Sequence, residues 1–127
     1  MSKKVLIVDD EVYMRVLLKQ TLEDFEDAGV ELLSAGTGPE AWDIVRAEHP
    51  DLIILDVKLP GISGHELCRR IKDDTALANA HVMMLTAQGR EADRERSKEV
   101  GADEYITKPF EPNYLIQRTS SILGVSV

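Results

Sequence analysis

The sequence predicts an α/β domain in which five parallel strands alternate with helices covering both faces of one sheet. Three observations carry this. Short apolar runs recur at residues 5–8, 52–55 and 82–85, the first two ending in acids and the third in Thr86-Ala87. The segments between them place apolar residues at spacings of three and four, the helical period. The runs are apolar throughout rather than alternating, as strands buried on both faces of a parallel sheet must be.

The bulk properties fit. A chain of 127 residues matches one domain of the commonest size, ~100–150 residues, and buries roughly two-thirds of its unfolded surface. Residues 1–127 therefore read as one domain. The single Cys68 excludes an internal disulfide, and no cationic and apolar leader follows Met1, so the expected location is cytoplasmic. No apolar run approaches the ~18 residues needed to cross a bilayer, so no membrane partner is expected. The net charge of −8 argues against nucleic acid or an anionic membrane as a direct partner, and suits Mg²⁺ or a basic protein surface.

The first strand is read at 4–8, with Asp9, Asp10 and Glu11 at its carboxyl end. One helix then runs from Val12 to a stop at Gly29, with Met14, Leu17, Leu18, Leu22 and Phe25 inward and Arg15, Lys19, Glu23 and Asp24 at other angles. A second strand occupies 30–35. Thr37 or Gly38 caps the next helix, with Pro39 near its first position and His49-Pro50 at its end. The third strand is the stretch Asp51-Leu52-Ile53-Ile54-Leu55-Asp56. A helix follows at 66–72, a fourth strand at 82–85 ending in Thr86-Ala87, and a charge-rich helix near 91–100 offering only Ala92, Ser97 and Val100 for packing. A short strand at 104–107 closes on Lys108-Pro109, and the last helix spans about 112–123.

The order is (βα)5, a doubly wound sheet. Five strands favour the flavodoxin-like order 2-1-3-4-5, whose site opens where strands 1 and 3 meet. Strand 1 ends at Asp9-Asp10 and strand 3 at Asp56. A fully buried strand has no use for a carboxylate in its middle, so Asp56 belongs at the carboxyl edge, with Thr86 and Lys108 brought alongside. Three converging carboxylates repel strongly, one close pair costing ~4 kcal/mol near a protein surface. A hard divalent cation and one lysine would compensate, and Mg²⁺ suits an open acidic edge that keeps places for water and phosphate. With a hydroxyl and an ammonium nearby, such an edge suits phosphoryl transfer onto Asp56.

Val8-Asp9-Asp10-Glu11, Asp56 with Leu59-Pro60-Gly61 and Gly64, Leu85-Thr86-Ala87, and Gly101-Ala102-Asp103-Glu104-Tyr105 through Lys108-Pro109-Phe110 occur in order, each motif after its own strand. In these the chain resembles, over nearly its full length, the receiver domain of two-component response regulators, chemotaxis regulators included. Receivers are themselves examples of the 2-1-3-4-5 order, so part of that expectation comes from the resemblance. The resemblance implies that Asp56 accepts a phosphoryl group from the phosphohistidine of a sensor histidine kinase or phosphotransfer protein. It implies Mg²⁺, replaceable by Mn²⁺, bound by Asp10, Asp56 and the Lys58 backbone carbonyl, with Asp9 acting through water. Lys108 would contact the phosphoryl group, its bond to Pro109 being cis. Thr86 and Tyr105 would be the switch, remodelling the face of the helix at 91–100, the fifth strand and the last helix. Lys58 and Gln88 stand where the family tunes phosphoryl lifetime. The Lys58 ammonium could reach back to the acids or face solvent. Asp103 and Arg118 resemble a dimerisation face of receivers in transcription factors, leaving a homodimer on phosphorylation as one expected output.

Taken singly, each residue has a plainer reading: Asp56 a turn-capping acid, Asp9 and Asp10 solvated loop acids, Thr86 a cap, Lys108 a surface lysine. Trp42, the methionines and Cys68 read as packing, and His49, His65 and His81 as surface or structural residues. The rival function is a phosphohydrolase with an aspartate nucleophile. Such enzymes carry Asp-x-Asp after strand 1, whereas Asp9 and Asp10 are adjacent. An interaction module that has lost phosphorylation is opposed by the intact set of five. The chain reads as a signalling domain rather than an enzyme, either stand-alone or part of a longer protein with an effector.

Overall fold

β3 (Leu52–Asp56) lies in the middle of the sheet and is buried at all five positions. The computed structural model describes residues 2–87 and 91–127. Around β3 are β1 (Lys4–Val8), β2 (Glu31–Ala35), β4 (His81–Ala87) and β5 (Glu104–Lys108), and the order is β2-β1-β3-β4-β5, all pairs parallel. The helices are α1 (Val12–Thr21), α2 (Glu23–Asp27), α3 (Gly38–Glu48), α4 (Gly64–Asp73), α5 (Glu91–Glu99) and α6 (Pro112–Leu123). This is the doubly wound, flavodoxin-like arrangement.

Strand side chains alternate between two cores, as the period of two requires. Leu6, Val8, Ile53, Leu55, Val82 and Met84 pack with Val45 of α3 and Leu67 and Ile71 of α4. Val5, Ile7, Leu52, Ile54, Met83 and Leu85 pack on the opposite face with Leu18, Leu22, Phe25, Leu115 and Leu123. Cys68 is fully buried in the first core, and burial pushes its thiol up to about 11, so it stays an inert packing group.

Three differences from the sequence reading exceed one residue. The expected single helix after β1 is two, because Leu22 leaves helical geometry at φ −101 and ψ 11. Leu22 and Phe25 are both fully buried, so the apolar period runs through the break and hides it. α4 starts at Gly64, two residues earlier than expected, because the Ser63 hydroxyl accepts from the Glu66 amide. β4 also extends to Ala87, carrying Thr86 within the strand. Among the two candidate caps for α3, Thr37 is the one used, its hydroxyl accepting from Glu40 N–H. Among the described residues, no helix is long and apolar enough to cross a membrane.

Candidate functional site

β1 and β3 are neighbours with Val8 opposite Leu55, so the residues just beyond these two share the carboxyl edge. Asp56, the last residue of β3, is 7% exposed; Asp9 is fully buried and Asp10 exposed. One carboxylate oxygen of each lies within 4.8 Å of the others. From β5, Lys108 places Nζ 3.0 Å from Asp9 Oδ2 and 3.4 Å from Asp56 Oδ1. The Lys108–Pro109 peptide is cis. Gly64 lets this edge close up: a Cβ there would collide with the Asp56 carbonyl oxygen, so only glycine lets α4 begin against the end of β3.

The three acids are held differently. Asp9 Oδ1 accepts from the Glu11 amide at 2.9 Å, Oδ2 accepts from Lys108, and the Asp9 carbonyl accepts from Arg15 Nη1 at 2.7 Å. Its own amide donates to the Ala35 carbonyl at 3.2 Å. Asp10, by contrast, makes no hydrogen bond or ion pair among the described residues. Burial, and next the negative charge of Asp9, push the Asp56 carboxyl up from 3.8 to about 6, with Lys108 and the Lys58 amide pulling the other way. Burial pulls the Lys108 ammonium down, but the Asp9 hydrogen bond and the Asp56 charge outweigh it and hold the group above its ordinary value. One ammonium therefore does not compensate the acids fully. Three convergent oxygen donors with an exposed side fit a small hard cation such as Mg²⁺.

Thr86 of β4 is 2% exposed and sits one residue beyond Leu85, the β4 partner of Asp56. Tyr105 of β5 is half-buried against the first core, with the Arg94 guanidinium 5.0 Å from its ring centroid. Lys58 is exposed and joins no ion pair among the described residues, so of its two expected orientations the structure shows the solvent-facing one. Gln88 lies outside the described residues. Asp103 and Arg118, expected on an intermolecular face, both have partners within the chain. Lys72 Nζ is 2.7 Å from Asp103 Oδ2, and Arg118 donates to both carboxylate oxygens of Glu104 at 3.1 and 2.9 Å. His81 Nε2 lies 2.6 Å from the same Glu104. On α5, Ser97 is buried as expected, whereas Ala92, five residues earlier, turns outward.

Sequence reasoning also missed the polar contacts of Arg15 and His65. Arg15, read as outward, shares a face with Leu18 and Leu22 at spacings of three and seven, a signal that could have placed it inward. His65 is 9% exposed, and its Nε2 lies 3.2 Å from both the Asp93 carbonyl and the Ser97 hydroxyl. Its spacing of three from Cys68 was the available clue. The structure also leaves Val12, Tyr13 and Val16 of α1 exposed as an apolar group near the acids.

Comparisons with known proteins agree with this arrangement. The family model of the response regulator receiver domain matches residues 5–120. The phosphate regulon transcriptional regulatory protein PhoB of Pseudomonas aeruginosa is 44% identical over 122 residues, 96% of this chain and 52% of PhoB. The chain spans about half the length of the curated relatives it matches. A crystal structure of a putative response regulator from Chloroflexus aurantiacus superposes with a TM-score of 0.87 at 37% identity, covering 98% of this chain and 99% of that one. The receiver domain of the Pseudomonas aeruginosa sensor histidine kinase PA1611 shares the fold at a TM-score of 0.85 and 22% identity, covering 98% and 99%. That structure holds a magnesium ion in its active-site cleft. With the strand order, the acidic edge and the match over residues 5–120 in agreement, the chain belongs to the response regulator receiver family of two-component systems.

Proposed function

We propose that Asp56 is the phosphoryl acceptor of this receiver and that a sensor histidine kinase or phosphotransfer protein is its donor. A carboxylate oxygen of Asp56 forms a bond to phosphorus as the phosphohistidine N–P bond breaks, and the donor imidazole leaves with its electron pair and takes up a proton. Lys108, kept protonated by Asp9 and Asp56, neutralises charge growing on the phosphoryl oxygens. Thr86, one residue past the level of Asp56, offers a hydroxyl to a phosphoryl oxygen, and Tyr105 follows on the same side of the sheet edge. Asp10, Asp56 and the Lys58 carbonyl would hold Mg²⁺, with Asp9, already bonded to Lys108 and Glu11, acting through water. When bound, Mg²⁺ supplies further charge neutralisation at the transferring group. Exposed Val12, Tyr13 and Val16 offer the donor protein an apolar footing beside Asp10.

The observation that carries this reading is the convergence of Asp9, Asp10, Asp56 and Lys108 on one edge. The role is signalling in the cytoplasm: the chain would catalyse only its own phosphorylation and slow dephosphorylation, and pass the change to a partner or effector. A homodimer through α5, β5 and α6 would have to share or exchange the partners that Asp103 and Arg118 now hold. Incubation with Mg²⁺ and a small phosphodonor tests the reading. Wild type should gain the mass of one phosphoryl group and Asp56→Asn none; wild type gaining nothing refutes it. In the same preparation, Lys58→Asn should alter the decay rate of the phosphoprotein, and identical decay removes Lys58 from lifetime control.

A further inference from the structure

The peptide joining Asp9 to Asp10 has one polar anchor that none of the roles above uses. Arg15, one turn into α1, donates from Nη1 to the Asp9 carbonyl at 2.7 Å. A charged donor makes this a short, strong bond. The other contacts of the turn fix Asp9 itself: its amide reaches Ala35 and its carboxylate takes Glu11 N–H and Lys108. The Arg15 bond instead acts on the plane of the peptide leading to Asp10. Asp10 has no side-chain partner among the described residues, so what aims its Cα–Cβ bond at the site is that plane, and the carboxylate keeps its rotation about χ1 and χ2.

The space for this contact comes from another part of the chain. A Cβ on Gly36, just after β2, would stand 2.9 Å from Arg15 Nη1 and 3.4 Å from its Cζ, too close for the guanidinium to stay where it is. Gly36 is not among the glycines with positive φ, so its backbone does not itself demand glycine. What demands it is the neighbouring guanidinium. The Gly36 amide is in turn held by Glu40 Oε1 at 2.7 Å, which fixes that wall of the space to α3.

We propose that Arg15, seated in the space left by Gly36, is a positioning residue for the cation site and sets its Mg²⁺ affinity by fixing the direction of Asp10. This rests on the Mg²⁺ reading given above. Groups that orient a metal ligand without touching the metal typically change affinity by about 10- to 100-fold when removed.

Calorimetric titration of the full chain with MgCl₂ alone, with urea unfolding of each variant alongside, tests it. Arg15→Gln should weaken Mg²⁺ binding at least tenfold, and Arg15→Lys, which keeps a charged donor, should recover much of the loss. Gly36→Ala changes neither a ligand nor the identity of Arg15 but displaces its guanidinium, and should weaken binding by several-fold with an unfolding midpoint near that of wild type, because the displaced atom is the end of a flexible side chain. Mg²⁺ affinities of Arg15→Gln and Gly36→Ala within twofold of a wild type that does bind Mg²⁺ overturn the positioning role alone. A wild type that takes up no Mg²⁺ overturns it together with the cation site, so the two failures are told apart.

Discussion

The carboxyl edge of β1 and β3 and the outer face of α5, β5 and α6 are both dense in charge, but they are built differently. At the edge, the acids end or follow two strands buried at every position but Lys4, and Asp9 has every polar group bonded. On the outer face, β5 is half-buried at all five positions, and α5 buries only Ser97 along its nine residues. What ties α5 to α4 is largely polar. The Ser97 hydroxyl donates to the Asp93 carbonyl at 2.8 Å, and His65 Nε2 reaches both. Burial lowers the His65 pKa, which favours the neutral ring with its proton on Nε2, the tautomer these two acceptors call for. The difference teaches a division of labour. Under the proposed function, phosphoryl chemistry needs ligands held in place, while a face that is to report on it must open at small cost, and helices with few buried apolar contacts are the low-stability parts of a domain.

The contrast can be broken first at the core. Ile54, fully buried in β3, should lose about 2–5 kcal/mol of global stability as Ile54→Ala. Urea unfolding should show a lower midpoint at unchanged slope. A cost below 1 kcal/mol would mean that β3 is not the rigid base of the site.

Next is the strain the site places on the fold. Asp56 has a folded pKa raised from 3.8 to about 6, so its contribution is fully present below about pH 3.8 and lost as pH rises through about 6. Asp56→Asn should therefore be more stable than wild type at pH 7, by at most roughly 3 kcal/mol for a shift of roughly two units. The lost partner of Lys108 works against this gain. Near pH 4 the two should converge, and a stability gap independent of pH between 4 and 8 would contradict the raised value.

How far the sequence showed all this follows the same division. Asp9, Asp10 and Asp56 were legible because an acid ending an apolar run has no packing role, and alternation of strands and helices then brings those ends together. Lys108 and Thr86 were placed on the same edge by the alternation of strands and helices, but singly they read as a surface lysine and a cap, and only the company of the acids gave them a role. The period shared with Leu18 and Leu22 could have turned Arg15 inward, but not shown its seat, which depends on Gly36, and nothing local links the two. His65 with Ser97, and His81 with Glu104, lie 32 and 23 residues apart and meet only through the packing of α4 on α5 and the β4–β5 pairing. Arg118 and Asp103 were read as free for a partner because their intrachain acid and lysine come from other elements. The break at Leu22 was hidden by its own burial.

The smallest effect should be the local one. Ser97→Ala removes one of the two α5 oxygens that His65 reaches, and amide exchange across Glu91–Glu99 should speed up about tenfold while β1 and β3 keep their protection. Equal loss of protection in the strands would make α5 part of the same cooperative unit as the site, and the comparison would fail.

The central claim is that the acid ending β3, served by the acids that follow β1, takes the phosphoryl group. Borohydride reduces an aspartyl phosphate to homoserine, so peptide mass mapping of the phosphorylated and reduced chain reads the acceptor directly. The expected result is homoserine in place of Asp56 and at no other position. Homoserine in place of Asp9 or Asp10, or a phosphoryl mass gained with Asp56 unmodified, would contradict it.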